Sequence, residues 1–142
     1  MPGIGRDLRR YLTNQIGDCY VALSVAEPLD DCSGFIEANT IGVGGYARQP
    51  VTWDRSQPLP TAGQPVELVN TNTLTFTSTA AWSPANIRAV SWVACFDTTT
   101  GTAENIYVSW AALTPAKLID RAGITITIPA GALKLSMGLQ QY

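Results

Sequence analysis

Ile124-Thr125-Ile126-Thr127-Ile128-Pro129-Ala130-Gly131-Ala132-Leu133-Lys134-Leu135-Ser136-Met137 alternates apolar and polar residues on both sides of a Pro-Ala-Gly break. A period of two puts every second side chain on the same face of a pleated strand. The stretch predicts two strands joined by a turn as a β-hairpin. Working back along the chain, Leu74 and Phe76 alternate with Thr73, Thr75 and Thr77, while Ile106, Val108, Trp110 and Ala112 alternate with Asn105, Tyr107, Ser109 and Ala111. Each pattern predicts a strand with one face toward a core, the second through its Ile106-to-Ala112 set. Ile87 to Phe96 is apolar on both faces apart from Arg88 and Ser91. It predicts a central strand that pairs, through Asp97-Thr98-Thr99-Thr100-Gly101, with the strand near 105 to 112. Six to eight antiparallel strands separated by Gly, Pro, Asn and Thr clusters predict a mainly β fold, an antiparallel β-sandwich or jelly roll.

The N-terminal part adds one helix. Leu8, Tyr11, Leu12 and Ile16 share a face at helical spacing, whereas Arg6, Arg9, Arg10 and Asn14 fall mostly elsewhere. This predicts a short amphipathic helix over about 6 to 16 with its arginines on a solvated face. Tyr20 to Val25 reads as a buried strand stopped by Glu27-Pro28, and 27 to 45 as a long surface loop. Gly44-Gly45-Tyr46-Ala47-Arg48-Gln49-Pro50-Val51 then enters a strand. The glycines tolerate a tight entry turn, and Pro50, lacking a backbone donor, belongs on a sheet edge. Residues 54 to 65 carry Pro58, Pro60, Gly63 and Pro65, an extended connection expected to cross one end of the sandwich. The 142 residues fit one domain, with strands from about 46 to 137.

Composition excludes several functions. Hydrophobic residues make up 46% of the chain and charged residues only 14%, so little repulsion keeps copies apart and self-association is favoured. The net charge of −2 and the scatter of basic residues outside Arg6, Arg9 and Arg10 argue against nucleic acid. Met1 to Gly17 lacks the apolar run of a signal peptide, and no stretch can span a bilayer. Cys19, Cys32 and Cys95 cannot all pair and read as buried thiols of a protein made in a reducing host cytoplasm. There is no histidine, so Ser-His and Cys-His relays are impossible and the usual zinc sets lose their commonest ligand. Asp97-Thr98-Thr99 reads as a turn rather than a protease motif. Gly42-Val43-Gly44-Gly45-Tyr46-Ala47 lacks the following helix of a dinucleotide site. Glu27, Asp30, Asp31 and Glu37 lack calcium-loop spacing. No catalytic residue, metal or cofactor is expected, and the protein is not read as an enzyme. Core packing is the favoured reading of all four tryptophans: Trp92 and Trp110 fall within apolar strands, while Trp53 and Trp82, near strand ends, are the pair with scope for exposure.

The helix, Tyr20-Val21-Ala22-Leu23, Gly44-Gly45-Tyr46-Ala47-Arg48-Gln49-Pro50-Val51, Asn72-Thr73-Leu74-Thr75-Phe76, Trp92 to Asp97 with Gly101, and Ile128-Pro129-Ala130-Gly131-Ala132-Leu133 occur in this order. Together they resemble a family of short tailed-phage virion proteins over roughly residues 8 to 138. A run of threonines stands where a Gly-Gly turn is common in that family. The resemblance implies head decoration (cement) proteins or tail-fibre-associated modules. The expectation drawn from it is a capsid cement protein on the outside of the head, bridging major capsid protein subunits as a homo-oligomer, a trimer being favoured. Its contacts are expected at Arg6, Arg9, Arg10, Tyr46, Arg48 and Trp53. The alternative is a tail-fibre or receptor-binding module that grips a host surface glycan through Trp53 or Trp82.

Overall fold

The computed structural model describes residues 5–17, 19–56, 58–61, 64–100 and 107–137. Among the described residues, helix α1 (Arg6–Asn14) precedes nine strands: β1 (Cys19–Ser24), β2 (Gln49–Val51), β3 (Trp53–Asp54), β4 (Val66–Asn70), β5 (Leu74–Thr77), β6 (Val90–Phe96), β7 (Tyr107–Lys117), β8 (Thr125–Ile128) and β9 (Lys134–Met137). The mainly β class, the antiparallel pairing and the short N-terminal helix are as expected. One sheet has the order β2-β1-β6-β7; the others are β3-β4-β9 and β5-β8. β6 is central and pairs with β7, as its two apolar faces predict. β2 lies at a sheet edge, where Pro50 costs no ladder bond.

The two smaller sheets are halves of one interrupted ladder. β4 runs against β9 from Val66↔Met137 to Val69↔Lys134, and β5 against β8 from Leu74↔Ile128 to Thr77↔Thr125. Buried Asn70 fills the gap between the halves. Its side chain donates to the carbonyls of Asn72 (2.7 Å) and Pro129 (3.1 Å) and accepts from the Leu133 amide (2.9 Å). The expected hairpin over Ile124 to Met137 is therefore corrected: its two strands pair with β5 and β4, not with each other. Alternation fixed which side chains point inward, but not the partner. Leu74 and Phe76 on one side, Val66 and Leu68 on the other, offer apolar faces that match it.

Two further expectations change. Strand β6 begins only at Val90, because the chain from Pro84 turns, with the Ile87 and Arg88 amides donating to the Pro84 carbonyl, and leaves Ile87 exposed. In β7 the phase is the reverse of that expected. The register Val93↔Ala111 and Cys95↔Ser109 sets the odd-numbered residues beside buried core positions and turns Trp110 and Ala112 to the other face. Ile106 lies outside the described residues. The phase was ambiguous because the opposite face of this sheet also carries an apolar cluster, in which Ala22, Ala94 and Phe96 are covered by Cys32 and Phe35 of the 27-to-45 connection. That connection is accordingly a packed cover as well as a loop.

Cys95 lies 2% exposed in the main core, and burial pushes its thiol from 9.0 up to about 12. A proton held by the folded chain but lost by the unfolded chain makes stability fall with pH. The contribution is complete below about pH 9 and is lost as the pH climbs toward about 12, at up to about 1.4 kcal/mol per pH unit. Tyr46, raised well above 10.0 chiefly by its own burial, adds the same sign at higher pH. Urea unfolding between pH 8 and 11 is expected to show declining stability, with a shallower decline for Cys95→Ala. Equal slopes in the two proteins would contradict this.

Candidate functional site

Proline supplies carbonyls but no amide, so a proline-rich segment needs donors from elsewhere. The arginines of α1 provide them. Arg6 donates to the Pro60 carbonyl (3.0 Å), Arg9 to that of Gln64 (3.1 Å), and Arg10 to those of Glu67 (3.0 Å) and Pro58 (2.9 Å). Arg55 returns the contact by donating to the carbonyls of Asn14 and Ile16. Arginine, with five donors in a rigid fork, suits this task better than lysine. The helix is thereby turned over relative to its expected orientation. Arg9 is 2% exposed, while Leu8, Tyr11 and Leu12 face outward. The expectation of a solvated arginine face is corrected by these carbonyl contacts.

Tyr46 and Arg48 also turn inward. Positive φ at Gly42, Gly44 and Gly45 allows the chain to fold tightly before β2. A Cβ at Gly45 would stand 2.7 Å from the Thr77 carbonyl oxygen, and one at Gly44 3.0 Å from Trp82. Past this turn, the Tyr46 hydroxyl accepts from the Leu23 amide (3.0 Å) and donates to Glu37 Oε1 (2.5 Å). Arg48 donates to Glu37 Oε1 through Nε (3.2 Å) and to Oε2 through Nη2 (2.9 Å). Its guanidinium lies 4.3 Å from the centre of the Phe96 ring and 5.8 Å from that of Phe35. Both carboxylate oxygens of Glu37 are engaged by these donors, so the arrangement joins the 27-to-45 connection to the sheet. A shallow hollow of about 440 Å³ opens beside Phe35, Glu37, Asn39 and Arg48.

Two of the four tryptophans expected in the core are there, and two are not. Trp82 is 0% and Trp53 8% exposed, whereas Trp110 is 38% exposed and Trp92 half-buried. Neither Trp53 nor Trp82 presents a ring for stacking on a sugar. Of the residues put forward for contacts, Arg9, Tyr46, Arg48 and Trp53 are buried, Arg10 is half-buried, and Arg6 is exposed. The structure brings Arg6, Arg9 and Arg10 together on the proline-rich connection and Tyr46 and Arg48 around Glu37, and it places Trp53 in the main core.

Further hollows lie along β7. Its outer side faces β8 and β9 across an open seam with three hollows. The first, about 390 Å³, lies by Ser109, Trp110 and Leu135; the next, about 410 Å³, by Ala111, Leu113, Ile128 and Leu133; the last, about 370 Å³, by Pro115, Lys117 and Thr125. Sequence reading missed this edge. Its signal was the absence of charge from Tyr107 to Ala116, and Glu37 was missed because it lies in an aperiodic stretch.

Comparison with known proteins gives a family match. The model of a family described as Podophage GP4 fiber I protein gp80 matches residues 8–136. No curated protein and no solved structure matches. The match corrects the expected position on the virion. A fibre family replaces the capsid cement role and the capsid exterior, while the phage virion character of the resemblance stands. The family is one of structural fibre proteins, not of enzymes.

Proposed function

The chain belongs to the Podophage GP4 fiber I protein gp80 family, and from that premise we propose that it is a building segment of the phage tail fibre whose copies associate with one another. The family match over residues 8–136 carries this reading. Surface chemistry supports self-association: charged residues are few, and Leu8, Tyr11 and Leu12 on α1, with Trp110 and Leu118 at β7, leave apolar groups outside. Exposed apolar surface on a charge-poor protein suits docking between subunits. A glycan grip through Trp53 or Trp82 is not part of the proposal, since both are buried. The partnership with the major capsid protein was tied to the cement role and is not carried forward.

The reading is tested on purified particles. Immunogold labelling is expected to decorate the fibres, and quantitative mass spectrometry to count far fewer copies than of the major shell protein. Label spread over the head, or a copy number equal to that of the shell protein, would reject it.

A further inference from the structure

We propose that the hollow beside Glu37 binds a single residue of an uncharged sugar. The inference goes beyond the fibre reading and does not depend on it.

The hollow, about 440 Å³, is lined by Phe35 and Ile41, by the hydroxyl residues Thr40 and Thr100, and by the Glu37–Arg48 pair. Small-molecule sites run from roughly 300 to 1,000 Å³, so it has room for one sugar ring. Its lining is pinned in place by contacts that need no ligand. Arg48 donates through Nη1 to the Thr98 carbonyl (3.2 Å), which ties down the turn carrying Thr100. The Ala38 amide donates to the Leu23 carbonyl (2.9 Å), and the Asn39 side chain donates to the Val43 carbonyl (2.8 Å) and accepts from the Ser83 amide (3.1 Å). Groups fixed beforehand lose less entropy on binding.

Charge decides the class of ligand. A carboxylate has about four acceptor positions, and Glu37 fills three of them. Oε1 accepts from the Tyr46 hydroxyl and Arg48 Nε, and Oε2 accepts from Arg48 Nη2. The fourth position is therefore on Oε2, and the Glu37 side chain, 19% exposed, is the member of the pair that solvent reaches. Arg48, with its side chain 1% exposed, cancels the charge while being all but closed off itself. A cation would meet a carboxylate already neutralised, and an anion would meet an acceptor. A neutral hydroxyl fits, because it donates one hydrogen bond and brings no charge to desolvate.

The rest of the lining favours a sugar among neutral ligands. Threonine hydroxyls both donate and accept, and Thr40 is exposed at the rim. Phe35 and Ile41 add apolar surface. A pyranose matches this mixture, with hydroxyls around its edge and C–H groups on its faces. An uncharged peptide gains most from a strand edge or a deep side-chain pocket, and this hollow is shallow.

The test titrates the full chain, isotope-labelled on nitrogen, with the methyl glycosides of glucose, galactose, mannose and N-acetylglucosamine, and follows amide shifts by NMR. At least one glycoside is expected to shift the amides of residues 35–41 saturably, with a dissociation constant on the order of 1 mM for so open a site. Thr40→Ala should weaken binding about threefold to tenfold by removing one hydrogen bond, with an unchanged far-UV spectrum. Thr127→Ala, exposed on β8, should bind like the parent. The same glycoside carrying a carboxylate or an ammonium group in place of its primary hydroxyl should bind more weakly than the neutral form. The proposal is overturned if none of the four glycosides shifts these amides at up to about 100 mM, if the shifts fall only elsewhere, or if Thr40→Ala binds like the parent. Equal binding of a charged analogue overturns it too, as does a capped Gly-Asn-Gly peptide that shifts these amides when no glycoside does. None of these results moves the immunogold label, so failure of the sugar site and failure of the fibre assignment are told apart.

Discussion

Arg48→Met is expected to cost about 3 kcal/mol of folding stability, the lower end of what breaking a buried ion pair costs. Methionine keeps the apolar stem against the two phenylalanine rings but removes the cation. Glu37 would then keep only the Tyr46 hydroxyl (2.5 Å) of the donors that hold it. The lower figure is chosen because the Arg48 side chain is 1% exposed but that of Glu37 is 19%, so water reaches the orphaned carboxylate. Loss of the cation over Phe96, 4.3 Å away, adds to the cost. Combining Arg48→Met with Glu37→Gln should be less damaging than the sum of the two single changes, because the pair is coupled. Urea midpoints for the three variants at pH 7 measure this. Additive costs, or an Arg48→Met cost below about 1 kcal/mol, would mean that the network does not hold the 27-to-45 connection to the sheet.

What could be read from the residues, and what could not, divides along a physical line. Strand positions followed from local alternation. Leu74 and Phe76 are buried while Thr75 and Thr77 are exposed, and Ile126 and Ile128 are buried around exposed Thr127. Pro50 put β2 at an edge because a missing amide is a local property. The partners of β8 and β9 were not legible, since pairing depends on which distant apolar face is available. Helix α1 shows the same limit. Its apolar face was plain, yet the carbonyls of the proline-rich connection outweighed it and drew Arg9 and, in part, Arg10 inward. Trp110 was misplaced because position within a strand says nothing about burial at a sheet edge, whereas the burial favoured for Trp53 and Trp82 holds. Trp110 sits on the open edge strand β7, whereas Trp82, outside any strand, is enclosed by the chain turning around it. The resemblance to phage virion proteins set the right class of particle, and only the family match separated fibre from head.

That enclosure makes Trp82→Ala the most damaging single change expected, at about 3–5 kcal/mol. Its indole N–H donates to the Gly44 carbonyl (2.7 Å), its amide donates to the Ile119 carbonyl (2.9 Å), and its ring meets that of Tyr46 edge-on with centroids 5.1 Å apart. Truncation leaves a cavity between the glycine turn and the core and removes the donor to Gly44. Trp82→Phe separates the two effects. It keeps most of the packing and loses the hydrogen bond, for an expected cost of about 1–3 kcal/mol. Because the turn at Gly44 and Gly45 leads directly to Tyr46 and Arg48, the alanine variant should also loosen the Glu37 network. Arg48→Met added to Trp82→Ala should then cost less than it does in the parent chain. Equilibrium urea unfolding of the parent and the four variants measures both statements. A Trp82→Ala cost near that of Trp82→Phe would show that the cavity collapses and that the hydrogen bond, not the packing, is what this indole contributes.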